Sequence, residues 1–415
     1  MKNLFLLTIA AISILMLFAC AQTPLEDIEF EEDEFTEVPA GTPNIITKED
    51  FPEPLFVEST DGKGLEESEV SEIEPEVFFQ SDSKIHSAIL VDDGRLYFGT
   101  ENCKFYAVDI ATKEVLWEYD TDVPVETWPV ISNGAVIFNA GNILRGLDAA
   151  SGNEVFWALQ PTEKVPRVSD NNFAFNDSYA AVFEDTVYYA NLDGDITAVN
   201  MDEGDIIWTF PQEEPGLVTS GVNFWDGRIY YVCGGWLCCH DAQTGEPLFR
   251  VEINDGVYAP MTIDDGKIYL GGRSCKTYCI DAVSGEVIWS SFSSVPSTWF
   301  SGGSVVIGDM LYACTSDEFA LVAYDRQTGK FNRLYPTGAH SYTKPVVYGE
   351  NVIVAATNVY TLNESYVMEF DTKNHTKLWE ASLPDCVLSS PSIYQDVLYF
   401  GSDSGAVYSI DLKSK

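Results

Sequence analysis

Residues 198–208, AVNMDEGDIIW, decide the fold, because their skeleton returns along the chain. That skeleton is a small residue, any residue, Asp or Asn, three variable positions, usually Gly, three more, then Trp. Residues 107–117 read AVDIATKEVLW, 279–289 read CIDAVSGEVIW and 369–379 read EFDTKNHTKLW. Residues 239–249 (CHDAQTGEPLF) and 323–333 (AYDRQTGKFNR) keep Asp and Gly but lose Trp, and the copy at 146–157 is one residue longer. The acidic or amide position falls at Asp109, Asp148, Asn200, Asp241, Asp281, Asp325, Asp371 and Asp411. Successive spacings are 39, 52, 41, 40, 44, 46 and 40 residues, a period in the range of propeller blades.

Each repeat shares one inner grammar. A short alternating run ends in an Asp-Gly turn, as at Asp93-Gly94 or Asp265-Gly266, and a second run such as RLYFG or KIYLG follows. Tyr, Val and Ile at period two between such turns read as hairpin strands. A third strand (KFYAVD, 104–109), a Thr-Gly or Ser-Gly turn and a fourth strand ending at Trp complete the unit. Four antiparallel strands per repeat, with no helical periodicity, predict an all-β, eight-bladed propeller; seven blades is the alternative if the Asp411 repeat forms none. Residues 77–80 resemble a fourth strand, and the last repeat supplies only three. These residues are therefore expected to complete the C-terminal blade and close the ring. The Trp positions (Trp117, Trp157, Trp208, Trp289 and Trp379) are expected to cover the neighbouring blade, while the Asp side chains accept bonds from turn N–H groups.

This skeleton resembles the tryptophan-docking repeat of the pyrroloquinoline-quinone (PQQ)-like propellers, over roughly residues 76–412. That family holds quinoprotein dehydrogenases and a cofactor-free branch, the BamB-like lipoproteins of outer-membrane β-barrel assembly. The resemblance implies the fold strongly and activity weakly, since one fold hosts many functions. In the dehydrogenases adjacent cysteines form a disulfide that stacks on the cofactor. Here Cys238-Cys239 lies in a third strand, where successive side chains point to opposite faces, and Cys239 holds the small-residue position. No cofactor is therefore expected.

Residues 1–20 read as a targeting segment: Lys2, an apolar run through Leu17, then Leu17-Phe18-Ala19-Cys20, which resembles a bacterial lipobox. Cys20 is the expected lipidation site; an ordinary signal peptide or a membrane anchor is the other reading. Ala21 follows where an inner-membrane retention signal would have Asp, so an outer-membrane destination is favoured. Residues 21–75 read as an acidic, disordered tether ahead of a propeller at 76–415. Residues 21–77 hold 19 Asp and Glu against Lys48 and Lys63. An acidic docking arm or cation-binding segment is the sharper alternative.

The formal charge of −42 argues against nucleic acid, and against electrostatic attachment to anionic lipid. His86, His240, His340 and His375 show no paired spacing suited to zinc, so no metal site is expected. Neither a phosphate loop nor a Gly-x-Ser-x-Gly nucleophile motif is present, and no catalytic residue is assigned. The eight cysteines beyond Cys20 are expected to be mostly free, buried thiols.

In a four-stranded blade, the turn between strands two and three shares a face with the connection to the next blade. Those connections should form one rim, with the longest at 160–179. Rigid scaffolds place binding on such loops. The rim residues expected to meet a partner are Trp128, Arg167, Phe173, Phe175, Tyr179, Tyr258, Trp299, Phe300, Tyr342 and Lys344. The expected protein is a monomeric, lipid-anchored, non-enzymatic scaffold of the cell envelope, facing the periplasm or the surface. It would bind protein partners, with the barrel-assembly core the leading one. A periplasmic or surface ligand-binding or sensing propeller is the alternative, and a PQQ-dependent oxidoreductase comes third.

Overall fold

The computed structural model describes residues 43–56, 64–140, 143–159, 179–190, 194–211, 218, 220–253, 256–257, 259–293, 299–361 and 363–415. Cys20 and the rest of residues 1–42 lie outside them, as do Arg167, Phe173, Phe175 and Tyr258. The chain forms eight antiparallel sheets in sequence order: blades 1 to 7 span 90–120, 130–159, 181–210, 223–252, 262–292, 304–336 and 346–383. Blade 8 takes three strands from 392–411 and its outermost from Glu76–Gln80, which pairs antiparallel with Ala406–Asp411. The ring is thus closed by the front of the propeller sequence, and the Asp411 repeat does form a blade. Eight apolar clusters fill the eight seams; at the closure Phe78, Tyr399 and Val407 of blade 8 meet Leu96, Phe98 and Tyr106 of blade 1.

The skeleton's residue types follow from register. Its small residue lies directly opposite the Trp: Ala107 faces Trp117, Ala198 faces Trp208 and Cys279 faces Trp289, with a bulge immediately after each. The Trp then reaches the next blade. The indole N–H groups of Trp117, Trp208 and Trp289 donate to the carbonyls of Ala149, Ala242 and Arg326, at 3.2, 3.2 and 3.1 Å. The ring lies over the turn glycine of that blade. A Cβ on Gly152 or Gly329 would come within 2.6 or 2.5 Å of Trp117 or Trp289, and both glycines have left-handed φ, 71° and 71°.

The skeleton's carboxylates tie the same turns. Asp109 accepts from the N–H and hydroxyl of Thr112 at 2.7 and 2.9 Å, and Asp325 from Thr328 at 2.8 and 2.7 Å. Asp148, Asp241 and Asp281 repeat this with Ser151, Thr244 and Ser284. Asn200 and Asp371 accept from Glu203 and Asn374, and Asp411 from Lys413. The bonds from Thr112 hold the Asp109 carboxyl below its usual range.

Three departures from the skeleton have physical reasons. In blade 2 the residue opposite Gly146 is Phe156, whose ring would lie 2.1 Å from a Cβ there; Trp157 is one position further on, opposite Arg145. Phe156 packs in the blade 2–3 core at the docking position of that blade, and the side chain of Trp157 lies outside what the structure describes. In blade 7 the small residue is replaced by Glu369, which accepts from the indole N–H of Trp379. There the indole donor is satisfied within its own blade. In blade 4 the Trp is Phe249; the smaller ring leaves space over Gly285 that Ile46 helps to fill.

Ile46 introduces the largest difference from expectation. The disordered tether assigned to 21–75 does not describe residues 43–56 and 64–75, which run as a strap along the outer strands of blades 4 to 7. Asn44–Ile46 pairs in parallel with Pro247–Glu252 of blade 4. The Leu55 N–H donates to Ser290 of blade 5 at 2.8 Å and the Leu55 carbonyl accepts from Phe292 at 2.8 Å. Arg333, at the Trp position of blade 6, donates to the Gly64 carbonyl and pairs with Glu66 at 3.3 Å. Ser71–Glu72 then pairs in parallel with Thr376–Leu383 of blade 7. Ile46 and Phe51 pack on the blade 4–5 core, Leu65 on the blade 6–7 core and Ile73 on the blade 7–8 core. Isolated apolar residues in a highly acidic stretch are the anchors.

Candidate functional site

The connections between blades and the turns between strands two and three do share a face. Glu101 N–H donates to Lys84, Val125 to Thr100, Ser316 to Trp299, Ser341 to Thr315, Thr357 to His340 and Asp403 to Cys386, at 2.8–3.2 Å. Each bond joins a connection to such a turn, so among the described residues these parts of the rim are tied into a collar.

Among the described residues, a group of aromatic side chains stands on this collar over blades 5 to 7. The Arg273 guanidinium lies 3.6 Å from the Trp299 ring centroid, a close cation–π contact. His340 is the hub of the neighbouring group, with Tyr342 stacked at 6.0 Å and Phe319 and Tyr360 edge-on at 4.7 and 5.2 Å. Tyr360 is 80% exposed and Phe319 is 40% exposed, whereas His340 beneath them is buried. Burial lowers the pKa of His340, so the imidazole is a neutral platform at pH 7. Desolvation likewise raises the Tyr342 hydroxyl, with Asp317 adding to the effect. Exposed rings fixed on a buried base lose little entropy when covered, which suits them as anchors for another protein.

The residues named from sequence divide accordingly. Trp299 and Tyr342 belong to this group. Trp128 and Tyr179 stack on each other at 5.5 Å and 22°, and the Tyr179 hydroxyl donates to Asn223 at 2.8 Å. They line the rim between blades 2 and 4, apart from the His340 group. Phe300 is only 3% exposed and fills the blade 5–6 seam; it packs against Gly271, where a Cβ would meet it at 2.1 Å. The expectation that Phe300 meets a partner is therefore corrected. Lys344 is half-buried, and desolvation lowers its pKa. Phe319, His340, Tyr360 and Arg273 were not among the sequence candidates. Phe319, Tyr360 and Arg273 lie on turns between strands two and three, which share the rim with the connections from which the candidates were drawn.

The adjacent cysteines can be tested against the quinone-clamping role. Cys238 and Cys239 are free thiols facing opposite sides of their strand: Cys238 lies in the blade 3–4 core and Cys239 in the blade 4–5 core. Burial pushes both up to about 12. They do not fit a disulfide that stacks on a cofactor.

A closed ring of eight four-stranded blades, with the turn-capping Asp or Asn in each and the indole dock onto the next blade at Trp117, Trp208 and Trp289, defines a propeller of the PQQ-like repeat class. The chain belongs to the family whose model is described as outer membrane protein assembly factor BamB, which matches residues 60–219 and 192–415. It is 23% identical over 294 residues to the outer membrane protein assembly factor BamB of Moranella endobia, covering 66% of this chain and 71% of that one. It is also 26% identical over 159 residues to the dehydrogenase subunit of a quinone alcohol dehydrogenase of Gluconobacter oxydans, covering 33% and 21%. The crystal structure of BamB from Moraxella catarrhalis superposes with a TM-score of 0.62 at 15% identity, covering 80% of this chain and 97% of that one. At that identity the likeness speaks to the fold.

Proposed function

We propose that this protein is a non-enzymatic scaffold of the cell envelope that acts in outer-membrane protein assembly, as its BamB relatives are named for doing. It docks a partner protein on the aromatic collar over blades 5 to 7. The observation that carries the reading is the exposure of Tyr360 and Phe319 on a buried His340 base. Large rings left in water on a rigid surface mark interaction sites, and Tyr is favoured among interface anchors. Cys20, lipidated after cleavage, anchors the scaffold, and the acidic stretch after it holds the propeller off the membrane.

Affinity capture from solubilised envelope, with Phe319→Ala and Tyr360→Ala as controls, tests the docking role. The wild-type chain recovers the barrel-assembly core, and the double variant recovers at least tenfold less while folding normally. Capture that is unchanged by the double variant refutes the surface assignment; failure of the wild type to recover the core refutes the assembly role. Dye-reduction assays after incubation with PQQ and calcium are expected to show no turnover, and sustained turnover would overturn the non-enzymatic reading.

A further inference from the structure

A second group of side chains on the rim, outside the aromatic collar, assembles where the ring closes. His86 lies on the connection from the closing strand into blade 1 and Glu101 on the turn between strands two and three of blade 1. Glu126 lies on the connection to blade 2, and Asp403 on the turn of blade 8. His86 Nδ1 is 3.4 Å from Glu101 Oε1 and 3.7 Å from Glu126 Oε1, and all three ligand atoms lie within 4.8 Å of one another. On the other side of the ring, His86 Nε2–H donates to Asp403 Oδ1 at 2.7 Å.

We propose that this seam is a binding site for one divalent transition metal ion of the zinc class, held by His86 Nδ1, Glu101 and Glu126.

The geometry supports it in three ways. Tetrahedral zinc with bonds of about 2.0–2.1 Å places its ligand atoms roughly 3.3 Å apart, close to the 3.4 and 3.7 Å that separate His86 Nδ1 from the two glutamates. The three residues lie on connections and a turn, so seating an ion calls on their side chains and not on the strands. The Asp403–His86 bond commits Nε2 as the donor and turns the Nδ1 lone pair toward the two glutamates. This is the carboxylate–histidine arrangement that orients metal-binding imidazoles. Charge points the same way. Glu101, Glu126 and Asp403 bring three negative charges, and Lys84, 3.7 Å from Glu101 and 3.5 Å from Asp403, offsets one. The remainder matches a dication. One imidazole with two carboxylates selects zinc-like ions over calcium or magnesium, which take all-oxygen sets. The glutamate side chains are 33% and 36% exposed, leaving a water its coordination position. A bound ion would tie the connection into blade 1, the turn of blade 1 and the connection into blade 2 together beside the blade in which the ring is closed.

The rival arrangement places a proton on His86 Nδ1 instead of a metal, with the imidazolium paired to both glutamates. Isothermal titration of the full-length processed chain with zinc, in excess magnesium and calcium to occupy the acidic N-terminal stretch, separates the two. The expected result is one zinc per chain at micromolar affinity or tighter. Affinity should fall at least tenfold in Glu126→Gln and ten- to hundredfold in Asp403→Asn, with unchanged circular dichroism. X-ray absorption at the zinc edge should show one imidazole nitrogen at about 2.0 Å among oxygens. Glu126→Gln is conservative and exposed, so it remains informative if His86 variants fail to fold. Zinc binding weaker than about 100 μM, or equal in wild type and Glu126→Gln, overturns the proposal and leaves the protonated cluster as the explanation.

Discussion

Replacing Gly329 by Ala tests whether indole docking, rather than turn geometry alone, holds the blades together. Gly329 has a φ of +71°, and a Cβ there would sit 2.5–2.9 Å from three atoms of the Trp289 ring. Gly94 provides the matched control: its φ is +74°, it also occupies a tight turn, and a Cβ there meets nothing within 4 Å. Both substitutions cost about 1 kcal/mol for forcing Ala into left-handed backbone. Only Gly329→Ala also displaces the indole. That loses about 1 kcal/mol for the Trp289–Arg326 hydrogen bond and about 1–3 kcal/mol of packing in the blade 5–6 core. The expected losses are therefore about 3–5 kcal/mol for Gly329→Ala and about 1 kcal/mol for Gly94→Ala. Urea unfolding followed by tryptophan emission measures both. In the double variant Trp289→Ala/Gly329→Ala the losses should be clearly less than additive, because the clash disappears with the ring. Equal losses at Gly329 and Gly94, or full additivity in the double variant, would refute the docking argument.

Other expectations follow from particular contacts. Trp379→Phe leaves the buried Glu369 carboxylate with Asn351 as its remaining partner, so it should cost about 2–3 kcal/mol, against about 1 kcal/mol for Trp117→Phe, which frees only a backbone carbonyl. Equal values in the same urea assay would contradict the blade 7 assignment. His240 is buried, donating from Nδ1 to Gly245 and accepting at Nε2 from Tyr231, and burial lowers it to about 4. Between pH 6.5 and 4 the unfolded chain binds a proton at this residue that the folded chain does not. His240 therefore stabilises the fold fully above pH 6.5, and about 3 kcal/mol of that is lost as pH falls to 4. His240→Gln should flatten this part of the stability–pH curve relative to wild type, and an unchanged slope would contradict the assignment. Deleting residues 1–75 should speed amide exchange at Phe292, whose N–H donates to Leu55, by at least tenfold; unchanged exchange would mean the strap does not protect blade 5.

Much of this architecture was legible in the chain. A period near forty residues, an Asp that caps each turn, a small residue ten positions before Trp and a spare strand at 77–80 are local patterns. Local patterns are read directly from sequence because the forces behind them, turn hydrogen bonds and pleat alternation, act between near neighbours. Even the departures were written there as broken skeletons, at Phe249, Arg333 and Glu369. What compensates each one was not. Ile46 comes to Phe249, and Gly64 to Arg333, from a segment whose acidic composition reads as solvated chain, because a few apolar anchors spaced along a groove carry no periodicity. Phe156 stands ten positions after Gly146, as Trp117 does after Ala107, and the register and bulge that place it at the docking position are those of the other blades.

The functional surface divides in the same way. Sequence alone determined that connecting loops would form one rim and that aromatic residues would stand on it. Only the tertiary structure decided which rings are anchors and which are core: it buried Phe300 in a seam, added Tyr360 and Phe319 from neighbouring turns, and placed His340 beneath them. It also gathered His86, Glu101, Glu126 and Asp403, which are up to 317 positions apart, into one cluster. Ring closure creates that proximity. Contacts made by joining the two ends of a circular array depend on the number of blades and their register, and no window of sequence contains either.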